Sequence, residues 1–520
     1  MKKKRWKSLV HNGVAFPPEY EYKGINIKIK GKEQTINVNA EEMIYAWAKK
    51  KDTPYIQDKI FQQNFLKSLL PILPKEYGKI KYIDLNFSNF YELVEGEKRE
   101  KENLTKEKKK EIAKERKEKR EILKKKYGYA KIDEIEVEVS NWMIEPPGLY
   151  MGRGQHPLRG TWKSRVYPKD VTLNLSKNVS KPEGKWKKVS DNTSMWLAKW
   201  SDKTDPEKQK YVWPSESSFL RQQQDQEKYN KSIKLEKKIR KIKRVIQKTL
   251  TSKTQIERKI ATVCYLIDTL ALRVGDEKDE DETDTVGATT LRIEHVKIKK
   301  ESIEFKFLGK DSVAWHKKLE NPPKQIIKNF NEFIQNKKSD DLIFDNITSE
   351  KVNKFFKKIM LDLSAKVFRT YIASKIVKEY LDNESNDKQE DYVKLFHAKK
   401  ANLEAAKKCN HKRQPPKNWE NSILKREIKL KELINLKLPK TEKAKQKRKQ
   451  RIKKYKLQLE FAKNTLEYNL NTSLKSYIDP RIYYKWSSKV NLYWEKIYPK
   501  TLQKKFQWVD SKKRKDIIDV

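Results

Sequence analysis

Cysteine is nearly absent. Cys264 and Cys409 are the only two in 520 residues, which argues against a disulfide framework and against a Cys-type zinc site. No run approaches the roughly 20 apolar residues needed to cross a bilayer, and no apolar stretch follows Met1-Lys2-Lys3-Lys4-Arg5 as in a secretory signal. No Gly-x-x-x-x-Gly-Lys-Ser/Thr loop occurs, and the six histidines fall in no His-Glu-x-x-His arrangement. Acid is in short supply: 72 Asp and Glu face 120 Lys and Arg, a net charge of +48. Aromatics are plentiful, with 13 Trp, 24 Tyr and 17 Phe, so a solvated polyelectrolyte is excluded. The length implies two to four compact units. The charge points to a polyanion, most plausibly nucleic acid.

Composition shifts divide the chain. Residues 1–95 mix short apolar runs with Pro and Gly, as in a small α+β unit. From 97 to 127 almost every residue is Glu, Lys or Arg, which predicts an exposed helix laced by i,i+4 pairs and stopped at Gly128. Residues 129–225 are rich in Trp, Pro and alternating patterns such as Val171-Thr172-Leu173-Asn174-Leu175, a β-rich signature. A basic helix follows at 228–248. Thr254-Gln255-Ile256-Glu257 has the form of a capping box, opening a helix whose apolar face is Ile256, Ile260, Val263, Ile267 and Leu270. Ile303, Phe305 and Phe307 alternate, as do Val313 and Trp315, so Gly309-Lys310-Asp311-Ser312 predicts a hairpin tip carrying a lysine. Residues 417–468 predict two basic antiparallel helices broken at Pro439, the second with a seam of Ile452, Tyr455, Leu459, Ala462 and Leu466. The acidic cluster from Asp276 to Asp284 lacks ordered spacing and predicts a solvated loop rather than a metal site.

Five local sequences carry the chemistry. They are Leu270-Ala271-Leu272-Arg273-Val274-Gly275, Phe307-Leu308-Gly309-Lys310-Asp311-Ser312, Ala365-Lys366-Val367-Phe368-Arg369-Thr370-Tyr371, Cys409-Asn410-His411-Lys412-Arg413, and Tyr477-Ile478-Asp479-Pro480-Arg481. Singly, each has an ordinary structural explanation. Together and in this order they resemble the active-site motifs of eukaryotic type IB DNA topoisomerases. The resemblance extends to Val14-Ala15-Phe16-Pro17-Pro18-Glu19-Tyr20 and to Ile144-Glu145-Pro146-Pro147-Gly148-Leu149-Tyr150 with Gly152-Arg153-Gly154-Gln155-His156-Pro157.

The resemblance implies an α+β multidomain fold, a bilobed clamp around DNA with a mainly helical, tyrosine-recombinase-like catalytic lobe. Residues 1–225 would form the DNA-clamping cap, 226–416 the catalytic core, 417–468 the helical linker and 469–520 the unit carrying the nucleophile. Tyr477 would attack; Arg273, Arg369 and His411, the last a third donor that counts with the cations only if protonated, would surround the scissile phosphate; Lys310 would be the general acid. Arg153, Lys185, Trp186, Lys278, Thr285, Asp311, Lys366 and Ser476 occupy positions the family uses for DNA contact. No metal and no cofactor are called for, because the cations are side chains. The implied partner is double-stranded DNA, bound by a monomer without a membrane. Ser476 stands where nuclear enzymes usually carry Asn; Asp276 and Ile372 likewise replace residues commonly Asn. The rivals are a tyrosine recombinase or integrase and a non-catalytic DNA-binding protein. Lys2-Lys3-Lys4-Arg5 and Lys512-Lys513-Arg514-Lys515 read equally as nuclear-localisation runs or as chance in so basic a chain, so the expected location is the nucleus of a cellular eukaryote, or the virion or replication site of a large DNA virus.

Overall fold

A computed structural model describes residues 4–73, 80–152, 154–275, 286–384, 387–416 and 418–510. The chain is a mixed α/β protein of two compact units, meeting in sequence at Arg221 and Gln222.

The first unit runs through β1 (Leu9–His11), β2 (Ile27–Ile29), β3 (Lys32–Gln34), α1 (Val38–Ala48), α2 (Lys59–Leu69), β4 (Leu85–Asn86), α3 (Ser88–Asn103), α4 (Lys106–Tyr127), β5 (Tyr129–Ile132), β6 (Ile135–Ser140), β7 (Gly148–Leu149), β8 (Trp162–Lys163), β9 (Thr172–Asn174), β10 (Lys187–Val189), β11 (Ala198–Ser201) and β12 (Gln209–Pro214). Seven strands form one sheet in the order β1-β5-β6-β12-β11-β9-β10. Its pairs are antiparallel except β9 with β10. One face buries Leu9, Val137, Leu173, Ala198 and Trp200. The expected small α+β unit is there as the sheet β3-β2-β4 with α1, α2 and α3 around Trp47, which stacks on Phe65 at 4.1 Å. Strand β1 departs from it and pairs with β5, Leu9 opposite Ile132.

The charged stretch is two helices, not one. Thr105 breaks it and caps α4 by accepting from the Lys108 amide at 3.2 Å. Lacing is sparse, with Lys108–Glu111 at 2.8 Å and Lys114–Glu118 at 4.0 Å, because long side chains in water gain little from pairing. Gly128 ends α4, its amide bonding the Lys124 carbonyl at 2.7 Å.

The second unit contains most of α5 (Phe219–Thr249), then α6 (Gln255–Leu270), β13 (Val296–Ile298), β14 (Ser302–Gly309), β15 (Val313–Glu320), α7 (Lys324–Ile334), α8 (Ser349–Ile359), α9 (Ala365–Glu384), α10 (Asp391–Lys408), α11 (Trp419–Asn435), α12 (Glu442–Asn464), α13 (Leu470–Ser476), α14 (Pro480–Lys489) and α15 (Lys500–Lys505). One apolar core runs from Tyr229 to Trp508 and includes the β14–β15 aromatics Phe305, Phe307 and Trp315 and the C-terminal helices. Helix α6 starts where expected, but the capping box is not made: Thr254 makes no side-chain cap, and Glu257 accepts from Ser252 Oγ instead. Ile256, placed on the apolar face by its spacing, is exposed, whereas Val263, Ile267 and Leu270 are buried. The first turn of α6 thus projects beyond the core.

Helices α11 and α12 pack antiparallel, as Lys463–Glu427 at 2.6 Å and Arg448 bonding the Leu433 and Ile434 carbonyls require. The hairpin lies along α10, with Gln450 on Glu390 at 2.9 Å and Lys400 beside Glu460 at 3.6 Å. The seam residues Ile452, Tyr455, Leu459, Ala462 and Leu466 are half-buried, a shallow seam rather than a core.

Candidate active site

Helix α6 ends at Leu270, and Ala271 takes a left-handed conformation at φ 56°. For a residue with a Cβ this costs about 1 kcal/mol. The turn buries Leu272 and brings Arg273 to the wall of a cavity of about 140 Å3. Arg273 is held by a strand-like return: its carbonyl accepts from the Ala288 amide at 2.9 Å, and that of Val274 from the Thr289 amide at 2.7 Å. Gly275, at φ +85°, and Gly287 touch so closely that a Cβ on Gly287 would lie 2.4 Å from Gly275 Cα.

The hairpin forms as its alternation predicts. Ser302 pairs with Glu320 and Gly309 with Val313, Phe307 stacks on Trp315 at 4.9 Å, and exposed Lys310 sits at the tip on the cavity wall. Asn410, left-handed at φ 52°, donates from Nδ2 to the Ala314 carbonyl at 3.1 Å. That bond ties the hairpin to the turn that ends α10 and presents His411.

Arg369 lies on α9, only 4 % exposed. Its Nη1 donates to the Ala271 carbonyl, and its Nη2 to the Cys409 carbonyl at 2.9 Å and to His411 Nε2 at 3.1 Å. One guanidinium thereby satisfies carbonyls at the C-terminal ends of α6 and α10, where the helix dipole favours a cation. Arg369 Nε and His411 Nδ1 are buried with no hydrogen-bond partner in the structure, which leaves two donors at the site to meet an incoming acceptor.

Tyr477 caps α13, its amide bonding the Ser473 carbonyl at 2.9 Å. Its ring lies 4.9 Å from the His411 ring. Downstream, Ile478 is buried, Asp479 caps α14 by accepting from the Arg481 amide at 3.0 Å, and Pro480 takes the first helical position. Ser374 on α9 clasps this segment: its Oγ donates to the Tyr477 carbonyl at 3.3 Å and accepts from the Asp479 amide at 3.0 Å.

The electrostatics follow. Burial pushes the Tyr477 phenol up, but the guanidiniums of Arg369 and Arg273 outweigh it, and its pKa falls below that of a free phenol. Burial, then the Arg369 and Arg273 charges, lower His411 to about 3. His411 is therefore neutral near pH 7 in this structure, where it stands as one N–H donor without the charge that protonation would add. Lys317, on the inward-facing register of β15, is lowered to about 8, first by burial and then by Lys408. Its Nζ donates to the Lys408 carbonyl.

Four of the five expected catalytic residues, Arg273, Lys310, Arg369 and His411, line one cavity, and Tyr477 touches two of them. Of the expected DNA-contacting residues, Arg153, Lys278 and Thr285 lie outside the described residues, as does the acidic cluster from Asp276 to Asp284. Asp311 is in the hairpin tip, in the single turn between β14 and β15. Lys366 is exposed in the first turn of α9, and Ser476 is half-buried beside the tyrosine. In the first unit Lys185 is exposed, whereas Trp186 is buried against Phe16, its indole donating to the Glu183 carbonyl at 2.9 Å. The sequence reading missed Ser374, Asn410 and Lys317. Only Lys317 left a signal: it continues the inward register Val313, Trp315, Lys317, Leu319.

Family models match along the chain. The eukaryotic DNA topoisomerase I DNA binding fragment covers residues 4–214, the eukaryotic DNA topoisomerase I catalytic core 217–463, and the C-terminal topoisomerase domain 449–517. DNA topoisomerase 1 of Homo sapiens is 34% identical, over 97% of this chain and 70% of its own length. The chain belongs to the eukaryotic DNA topoisomerase I family. DNA topoisomerase 1 beta of Arabidopsis thaliana is 36% identical over 97% of this chain, and DNA topoisomerase 1 of Drosophila melanogaster 35% over the same share. The chain spans 58% of the plant relative and 54% of the fly relative. Within the family, the matched catalytic core ends before Tyr477, which falls in the C-terminal domain match.

Proposed function

We propose that the protein is a type IB DNA topoisomerase, and that Tyr477 is its nucleophile. The observation that carries the reading is the phenol of Tyr477 set against a buried arginine and a neutral histidine, beside a cavity walled by two more cations. Tyr477 Oη attacks a backbone phosphorus of duplex DNA. The P–O5′ bond breaks, a 3′-phosphotyrosyl ester forms and a 5′-hydroxyl leaves. The phenolic proton goes to water, and Lys310 supplies a proton to the departing oxygen. Arg273 and Arg369 hold the non-bridging oxygens as charge builds, and His411 adds a neutral N–H. Religation is the reverse: the 5′-hydroxyl attacks the phosphotyrosine. The bond energy is kept throughout, so neither ATP nor a metal is required.

Between the two steps the downstream duplex turns about the intact strand, which relaxes positive and negative supercoils such as those raised by replication and transcription. In this reading residues 1–225 cap the duplex, 226–416 with 469–520 form the catalytic lobe of a bilobed clamp, tyrosine-recombinase-like in its chemistry, and the 417–468 hairpin brakes rotation through phosphate attraction. Arg153, Lys185, Trp186, Lys278, Thr285, Asp311, Lys366 and Ser476 contact the DNA. The enzyme acts as a monomer, in the nucleus of a cellular host. The test is relaxation of supercoiled plasmid in EDTA without ATP. The wild type relaxes it, at sites throughout the plasmid, and Tyr477→Phe leaves it supercoiled. Relaxation by the variant would remove Tyr477 from its role, and dependence on one special site would favour a recombinase.

A further inference from the structure

Behind the nucleophile lies a second cavity, of about 430 Å3, within the usual range for small-molecule sites. It is walled by α9, α14 and the α5 segment around Ser232. Its floor is apolar and aromatic: Tyr371, Ile482 and Trp486. Its rim is cationic, with Lys375, Lys485 and Lys489 all exposed at the mouth. Among the described residues neither Lys485 nor Lys489 is in an ion pair. The other three wall cations are paired, Lys375 with Glu379 at 3.6 Å, Lys378 with Glu236 at 3.8 Å and Arg481 with Asp479 at 2.7 Å, and Asp382 adds one exposed carboxylate to the wall.

We propose that this cavity binds a small organic anion: a flat ring system seated on Tyr371 and Trp486, with one acidic group held by Lys485 and Lys489. The aromatic floor favours a ring over a bare phosphate, and the unpaired Lys485 and Lys489 favour an anion over a neutral or cationic ring. The site is coupled to the nucleophile. Ser374 and Asp479 belong to its wall, and Ser374 Oγ bonds both the Tyr477 carbonyl and the Asp479 amide. A ligand that shifts Ser374 moves the backbone of Tyr477 from the side away from the phosphate, so occupancy and cleavage are linked.

The probe is 8-anilinonaphthalene-1-sulfonate, with the full chain and its fluorescence as readout. Saturable binding is expected, weakened at least tenfold in the double variant Lys485→Glu/Lys489→Glu, whose circular dichroism matches wild type. Lys310→Ala, at the other cavity, keeps the wild-type affinity within twofold. Unsaturable binding, unchanged affinity in the double variant, or loss in Lys310→Ala would each overturn the site. The coupling rests on Tyr477 being the nucleophile. It predicts that saturating probe changes the rate of single-turnover DNA cleavage at least threefold in wild type and not in the double variant; equal rates with and without probe would overturn it. Fluorescence decides the site whatever the reaction, and plasmid relaxation by Tyr477→Phe decides the nucleophile, so the two failures are distinguishable.

Discussion

The guanidinium carbon of Arg369 lies 5.0 Å from the centre of the Tyr477 ring. Among the described residues no carboxylate pairs with Arg369; the arginine is held there by the backbone carbonyls of Ala271 and Cys409. Its charge is therefore left to act on the phenol and on whatever anion enters the cavity. Burial alone would raise the Tyr477 pKa, and Arg369 is the largest of the groups that reverse it. Arg369→Ala is expected to slow single-turnover cleavage by about 10²–10³ and to move the alkaline rise of the pH–rate profile upward, since desolvation would then dominate. A profile that keeps its midpoint would show that Arg369 does not set the phenol's ionisation. Arg369→Lys should recover little, because an ammonium cannot bridge both carbonyls.

Acid should destabilise the second unit through His411. Its folded pKa, about 3, lies below the 6.5 of a free imidazole. Between these values the unfolded chain holds a proton that the folded one does not. Stability is fully present above pH 6.5 and is lost as pH falls toward 3, at up to about 1.4 kcal/mol per pH unit. His411→Gln should flatten that slope in urea titrations from pH 7 to 4. His11, lowered to about 4 by burial, imposes a dependence of the same sign on the first unit, which the variant leaves intact.

Lys310, the proposed general acid, stands exposed at the hairpin tip on the cavity wall. Lys310→Ala should slow cleavage of ordinary DNA by about 10²–10⁴. With a bridging sulfur in place of O5′ the leaving group needs no proton, and the variant should then cleave within a few-fold of wild type. A deficit that persists with sulfur would mean that Lys310 positions the phosphate instead of protonating the leaving atom.

Ser374 touches no reacting group. Ser374→Ala removes two hydrogen bonds, each worth about 1 kcal/mol, so cleavage should fall by roughly tenfold or more with DNA affinity unchanged. Ser374→Thr, which keeps the hydroxyl, should recover most of it. A parallel loss of DNA affinity in gel-shift titrations would contradict a purely positioning role.

Legibility in the sequence depended on range. The Lys310 hairpin could be read outright, because apolar alternation on both sides of Gly309-Lys310-Asp311-Ser312 fixes a register locally. The helical hairpin was legible from a different local signal, the 3-4 apolar spacing of Ile452 to Leu466 and the break at Pro439. Arg369 could be found only through its motif, since one arginine among 120 basic residues carries no signal of burial. What escaped was non-local. Nothing near Leu9 announces that β1 leaves its neighbours to pair with β5 more than a hundred residues away. Nothing near Ala271 announces a left-handed turn, because Arg369 on another helix compensates it. Ser374 is invisible for a like reason: its partners lie some hundred residues downstream. Thr254 illustrates the opposite error, a local pattern overridden when Ser252 took the glutamate.

The contact between Gly275 and Gly287 has a bearing on which substitutions the site can accept. A Cβ on Gly287 would lie 2.4 Å from Gly275 Cα, and one on Gly275 2.8 Å from Gly287 Cα, so a side chain at either position would force two backbone segments apart. The same segments carry the amides of Ala288 and Thr289 that hold the carbonyls of Arg273 and Val274. A methyl group added at this crossing, on a residue with no chemistry of its own, would thus displace Arg273 as surely as a change at the arginine itself.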